Sequence, residues 1–235
     1  MIDLLFLLLT FLGAVYLCFV MFMAFKERSM VVGIVAINLI IFIYTFLFAP
    51  QMITKYALSG GRIAAGAGYT MITYMFLHAN VQHIFLNSLG LLFFGYHMEK
   101  EFTGPLTLLI YFVSGMFAAA VYVLSAPANV LVVGASGAIF GLMAYLTLTR
   151  PFKISPMPFI IPMPIAVASL LYVIFAAPVM ATGGLLEGVA HNAHIGGLLG
   201  GSLLALAMNR QEALKGVIIV VLLAALIFIL PPLFM

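Results

Sequence analysis

Residues 106–124, LTLLIYFVSGMFAAAVYVL, run for nineteen positions without one charged side chain. At ~1.5 Å of helical rise per residue that is ~28 Å, close to the ~30 Å thickness of a bilayer's hydrocarbon core. In that medium a lone segment satisfies its backbone only as a helix, so the stretch predicts a membrane-spanning helix. Seven more apolar runs flank it, at about 4–24, 31–49, 81–97, 136–149, 160–181, 189–208 and 215–234. The expected fold class is an all-α polytopic membrane protein. Composition agrees: of 235 residues, 66% are hydrophobic and 6% charged, against about 45–50% and about 25% in soluble domains. A soluble globular protein and a disordered chain are thereby excluded. The sequence pI of about 9.0 comes from scattered Lys and Arg, not from a basic stripe, so no nucleic-acid partner is expected. Cys18, the one cysteine, lies in an apolar run and builds no disulfide framework.

Orientation follows from where Lys and Arg fall in the short connections. With the N-terminus outside, Lys26, Arg28, Lys100, Arg150, Lys153, Arg210 and Lys215 lie inside and only Lys55 and Arg62 outside. The first run lacks a basic leading region and has its positive charges on the far side, which predicts a retained anchor rather than a cleaved signal. The connection 50–80 is long, with Tyr56, Tyr69 and Tyr74 among apolar residues, and is expected to lie partly in the membrane interface. Residues 125–135 are uncharged, contain Pro127 and Gly134, and precede a run of only about 14 residues. They read as a loop dipping into the membrane, which requires protein or a water-filled cavity around it.

Polar side chains inside such runs are costly and therefore mark function. Ser136 lies 14 residues above the inner marker Arg150, about 9 Å below the outer surface of a ~30 Å core. Counted from Arg210, His194 comes out about 6 Å deep; counted from Glu99, His83 is about 6 Å and Asn87 about 12 Å deep. All four fall in one layer near the outer face, on three runs with the same direction. His83 and Asn87, spaced i, i+4, share a helix face.

Glycines offer a way for two of these helices to meet. Gly137 with Gly141, Gly196 with Gly200 and Gly197 with Gly201 are small-xxx-small pairs, which let backbones approach closely. A close crossing brings Ser136 to His194. A serine hydroxyl becomes a nucleophile when a base within hydrogen-bond reach takes its proton, and an imidazole of ordinary pKa about 6.5 suits that task. The only aspartate is Asp3, so a dyad is more economical than a triad unless Glu187 reaches back to His194. The backbone N–H of Ser136 and the side chains of His83 and Asn87 would serve as oxyanion donors.

These residues resemble the rhomboid family of intramembrane serine proteases. The likeness rests on Gly134-Ala135-Ser136-Gly137, on Ala193-His194 with Gly197 and Gly201, and on His83 with Asn87 preceded five residues earlier by His78. It extends over about residues 30–210. The resemblance implies a six-helix catalytic domain over 30–210, with extra transmembrane helices in 1–29 and 211–235. It implies Ser136 as nucleophile, His194 as general base, and His83, Asn87 and the Ser136 N–H as oxyanion hole. Phe140 takes the position where the family often packs an aromatic ring on the catalytic imidazole. The implied substrates are single-pass transmembrane proteins cut near their outer ends, with no metal or other cofactor. Lateral access would run past the helix 160–181 and the loop 182–190, where Thr182-Gly183-Gly184 supplies flexibility. Two departures concern structural elements: Gly68-Tyr69-Thr70 stands where the family often has Trp-Arg, and Glu99-Lys100-Glu101 where Glu-x-Arg is common.

The expectation is thus an intramembrane serine endopeptidase in a cell membrane, its site opening toward the outer face. A catalytically inactive relative that binds transmembrane helices is the alternative. A metal or proton transporter using His78, His83, His191 and His194 is disfavoured, because no carboxylate or thiolate lies at that depth. Outside the dyad, His78 is read as a brace for the long loop. His191 is read as an interfacial residue at a helix start, and His97 as a headgroup contact at the inner end.

Overall fold

A computed structural model describes residues 29–155, 162–176 and 190–233. The first predicted run, the ends of the run 160–181 and most of the loop 182–190, with Thr182-Gly183-Gly184 and Glu187, lie outside the described residues. So do Lys26 and Arg28.

The described chain is mostly helical. Helix α1 spans Met30–Leu47. The connection after it carries three short helices, α2 (Gln51–Tyr56), α3 (Gly60–Ala64) and α4 (Thr70–Thr73), and a 3-10 turn at Tyr74–Phe76. Helix α5 (Val81–Gly90) passes through a π-helical stretch, Leu91–Gly95, into α6 (Tyr96–Glu101). Then come α7 (Gly104–Ser125), α8 (Ser136–Thr149) and a two-residue hairpin, β1 (Ile154–Ser155) with β2 (Met163–Pro164), paired Ser155 to Met163. Helix α9 (Ile165–Leu171) runs into a second π-helical stretch, Tyr172–Ala176, and α10 (Ala190–Met208) and α11 (Arg210–Leu233) follow. Among the described residues, α1 and α7 are each long and apolar enough to cross a bilayer unaided.

Helix α8 is the centre of the packing. Thirteen of its fourteen residues are buried, which accounts for a helix too short and too glycine-rich for a lipid-facing span: protein surrounds it on every side. Helix α10 shows the opposite division. Ile195, Leu199 and Leu203, one turn apart, are about half exposed, whereas Ala193, His194 and Ala205 are buried. Its exposed apolar stripe suits lipid; its buried stripe meets α8 and α7.

The small-residue pairs decide that contact, and the two on α10 serve different partners. A Cβ on Gly197 or Gly201 would overlap the carbonyl of Gly137 or Gly141 in α8, so these backbones touch. Gly196 and Gly200 instead lie against Phe117, Ala118 and Ser114 of α7. Helix α11 joins by the same device, Gly216 lying against the Leu148 carbonyl.

The two irregular connections are tied together. Leu58 and Val132 exchange backbone hydrogen bonds of 3.0 and 2.8 Å, and the Gly61 N–H donates to the Ala128 carbonyl at 2.7 Å. The uncharged segment 126–135 thereby gains the protein partners that non-helical backbone needs at membrane depth. Tyr74 departs from expectation. It is 1% exposed, not interfacial, and its hydroxyl donates to the Gly115 carbonyl of α7 at 2.7 Å. Tyr69 is the ring left about half exposed, edge-on to Tyr56.

The charged helix ends are anchored where the sequence departs from the family pattern. Glu99 accepts from the Ser29 hydroxyl and from the N–H groups of Met30 and Val31, satisfying the first turn of α1. Glu101 pairs with Lys153 at 2.7 Å and Arg150 at 3.6 Å. A carboxylate at this position thus joins α6 to the connection after α8.

Candidate functional site

Ser136 is the first residue of α8, and its hydroxyl lies 2.9 Å from Nε2 of His194 in α10. Both are buried, at 7% and 4% exposure. The contact is the product of the glycine crossing: Ser136, next to Gly137, meets His194, about one turn before Gly197, because no side chain separates the two backbones there. Phe140, one turn below Ser136, lies flat against the His194 ring, with centroids 4.3 Å apart and planes within 5°. An imidazole turns easily about its second torsion, so this face-on packing sets the ring plane. His191 lies exposed at the start of α10, its ring 6.4 Å from that of His194.

Beside the pair, Gly134 holds open a small space. Its φ is +123°, a conformation that residues with a Cβ rarely adopt. A Cβ there would also sit 2.6 Å from His83 Nε2 and 3.8 Å from Ser136 Oγ. The serine hydroxyl and the His83 ring therefore border one gap that only glycine leaves empty. Gly134 is held by its own N–H, which donates to the Tyr74 carbonyl at 2.9 Å.

His83 sits in the first turn of α5, where Asn80 caps the helix by accepting from the His83 N–H at 2.8 Å. Its Nδ1 faces the Ala79 N–H at 3.5 Å. Asn87, fully buried one turn on, donates from Nδ2 to the His83 carbonyl at 2.8 Å. His78 is fully buried in the turn before α5, its ring 5.2 Å from His83 and edge-on to it. His194, Gly134 and His83 thus gather about Ser136, with Phe140 behind the His194 ring, while Asn87 and His78 make their contacts with His83. Among the described residues, no group of three or more His, Cys, Asp or Glu side chains is arranged to hold a metal ion.

One residue read as peripheral is not. His97, expected to contact lipid headgroups, bonds the Phe93 carbonyl through Nδ1 at 2.7 Å and the Ser155 hydroxyl through Nε2 at 2.6 Å. Tyr74 and Tyr172 also contribute to the site's surroundings without having been singled out as site residues. Their signal was weak, since a tyrosine in an apolar segment reads alike whether it faces lipid or protein.

Comparison with known proteins gives a consistent picture. A family model described as Rhomboid domain matches residues 65–211. RHOMBOID-like protein 1 of Arabidopsis thaliana is 34% identical over 138 residues, covering 58% of this chain and 33% of that protein. The mitochondrial RHOMBOID-like protein 12 of the same plant is 28% identical over 158 residues, 59% of this chain and 47% of its own length. The mitochondrial RHOMBOID-like protein 6 is 32% identical over 148 residues, 61% and 44% respectively. The matched part amounts to less than half of each of these relatives.

Proposed function

The chain belongs to the rhomboid family, an integral membrane protein by its domain and its apolar helices, and from that premise we propose that it is an intramembrane serine endopeptidase. The observation that carries the reading is the buried contact of 2.9 Å between Ser136 Oγ and His194 Nε2, bordered by the gap at Gly134. The fold that serves it is a six-helix core over 30–210, with α11 and the run 4–24 as additional spans.

The chemistry follows from the atoms present. Ser136 gives its proton to His194 Nε2 as Oγ attacks the scissile carbonyl, and a tetrahedral oxyanion forms. That oxyanion occupies the gap between Ser136 and His83. A neutral His83 whose Nδ1 accepts from Ala79 carries its hydrogen on Nε2, the atom bordering the gap. The Ser136 N–H adds a second donor. It belongs to the first turn of α8, whose N–H groups have no intrahelical acceptor, and Ala135 supplies no side-chain cap. The positive end of the helix dipole acts in the same direction. Asn87 completes the donor set. His194 then protonates the departing amine, and a water, activated by the same imidazole, hydrolyses the acyl-enzyme. No carboxylate is required, since Phe140 orients the imidazole by stacking.

The substrate class is a single-pass transmembrane segment, cut near its outer end, because Ser136 lies close to the membrane face opposite the cluster of basic residues. Purified protein in lipid vesicles is expected to cleave such a segment, while Ser136→Ala and His194→Ala do not. A fluorophosphonate should label Ser136 in the wild type. Wild-type protein that binds the segment yet releases no product and takes no label would overturn the reading in favour of an inactive helix-binding relative.

A further inference from the structure

Helix α9 faces outward along most of its end: Leu170, Val173, Ile174 and Phe175 are 40% to 68% exposed. Tyr172 in their midst is 7% exposed. Its ring turns inward toward α5, edge-on to Phe94 with centroids 5.2 Å apart, and 6.0 Å from the ring of Phe140. Its hydroxyl reaches toward the Leu86 carbonyl at 3.4 Å and lies over Gly90. A Cβ on Gly90 would collide with that hydroxyl and stand 2.8 Å from the ring carbon bearing it. Gly90 is therefore a seat cut to the tyrosine. Both partners border π-helical turns, Leu91–Gly95 on α5 and Tyr172–Ala176 on α9; such turns are rare and concentrate at functional sites.

Four rings follow one another: His194 of α10, Phe140 of α8, Tyr172 at the start of the π-helical stretch after α9, and Phe94 in the one after α5. The His194 plane depends on Phe140, as derived above. Phe140 has an equally soft ring torsion, so its own orientation needs a further neighbour. Tyr172 is one, its ring tilted by 55° to that of Phe140. We infer that Tyr172 is a positioning residue for the Ser136–His194 pair, acting through Phe140, with Gly90 as its seat. The inference rests on the reading of that pair as catalytic. Because Tyr172 is carried by α9, the aim of His194 at Ser136 depends on α9 being seated on α5, and a segment that entered by prising α9 away at this level would disable the base it needs.

The test compares Tyr172→Ala, Tyr172→Phe, Gly90→Ala and the double variant Gly90→Ala/Tyr172→Phe in lipid vesicles. Three quantities are read for each: kcat and KM on a single-pass test segment, the labelling rate of Ser136 by a small fluorophosphonate, and the thermal melting point. Tyr172→Ala is expected to lower kcat and labelling in parallel by about 10- to 100-fold, the scale of a small misplacement of reacting groups, with KM little changed. Tyr172→Phe keeps the ring and recovers most of that loss. Gly90→Ala behaves like Tyr172→Ala, and removing the hydroxyl in the double variant restores part of the rate. If Tyr172→Ala melts too low to assay, the Gly90 pair decides alone. Full labelling in Tyr172→Ala, or strict additivity of Gly90→Ala and Tyr172→Phe, overturns the inference. A wild type that neither cleaves nor labels overturns the catalytic reading instead, so the two failures are distinct.

Discussion

Two serine–histidine contacts sit at opposite ends of this molecule: Ser136 with His194 at 2.9 Å and Ser155 with His97 at 2.6 Å. By distance alone the second is the better hydrogen bond. Both serines are buried, at 7% and 1% exposure. The difference lies in what surrounds them. Ser136 opens a helix with no side-chain cap, beside a gap kept by Gly134 and faced by His83. Ser155 belongs to a β-hairpin, paired with Met163, while His97 is tied through its other nitrogen to the Phe93 carbonyl and lies near Glu101 and Lys153. A serine bonded to an imidazole is thus common structural currency. A proposed nucleophile also needs room above its oxygen and donors waiting where negative charge will form.

The two contacts differ most at their serines. Ser136→Ala is expected to reduce cleavage to background, since serine proteases lose on the order of 10^6 in kcat without their nucleophile. Ser155→Ala should keep the wild-type rate within about twofold, the absence of a catalytic role. Mass spectrometry of fluorophosphonate-treated protein should find the adduct on Ser136 and none on Ser155. An adduct on Ser155 would erase the distinction.

Next in size are changes to the gap. Gly134→Ala puts a Cβ between His83 Nε2 and Ser136 Oγ at a φ of +123°. Asn87→Ala removes a proposed donor. Each is expected to lower kcat by about 10^2–10^3, the usual cost of one oxyanion-hole donor, measured by initial cleavage rates at saturating substrate. A normal rate in Gly134→Ala would mean that the oxyanion forms elsewhere.

The two contacts were unequally legible in the sequence. Ser136 and His194 share a depth that can be counted from Arg150 and Arg210, because helical rise is constant and the basic residues at the helix ends supply a common reference. Their approach was further signalled by glycines at matching positions. The glycine spacing alone did not tell which stripe of α10 meets α8, since Gly196/Gly200 and Gly197/Gly201 have identical spacing and differ by a rotation of about 100°; the family resemblance, which pairs His194 with Gly197 and Gly201, singled out the second. His97 and Ser155 meet only because the connection after α8 folds back through a hairpin, and nothing in the two local sequences announces it. Tyr74 was misread for a related reason. Its ring satisfies an apolar segment equally well in the interface or in the core, and its acceptor, the Gly115 carbonyl, is carried by a helix whose sequence gives no sign of it.

The smallest effect belongs to the structural pair. Removing the Ser155 hydroxyl leaves the half-buried His97 Nε2 without that partner. Water can replace part of a half-buried bond, so the loss is that of an ordinary hydrogen bond, about 0.5–1.5 kcal/mol, and not the full penalty of a sealed group. Ser155→Ala should therefore lower the unfolding midpoint in detergent and destabilise the protein by about 1 kcal/mol. His97→Gln keeps a polar group facing Ser155 and should cost less. In the double variant the penalties should fall short of their sum, with a coupling of about 0.5–3 kcal/mol for residues in direct contact. Cleavage rates must stay level through the whole cycle. If activity instead falls in step with the coupling, the Ser155–His97 pair controls the Ser136–His194 pair. The hairpin that carries Ser155 leads directly into α9, and His97 sits on the helical run that continues from α5 with His83 and Asn87, so two helical routes lead from this pair toward Ser136.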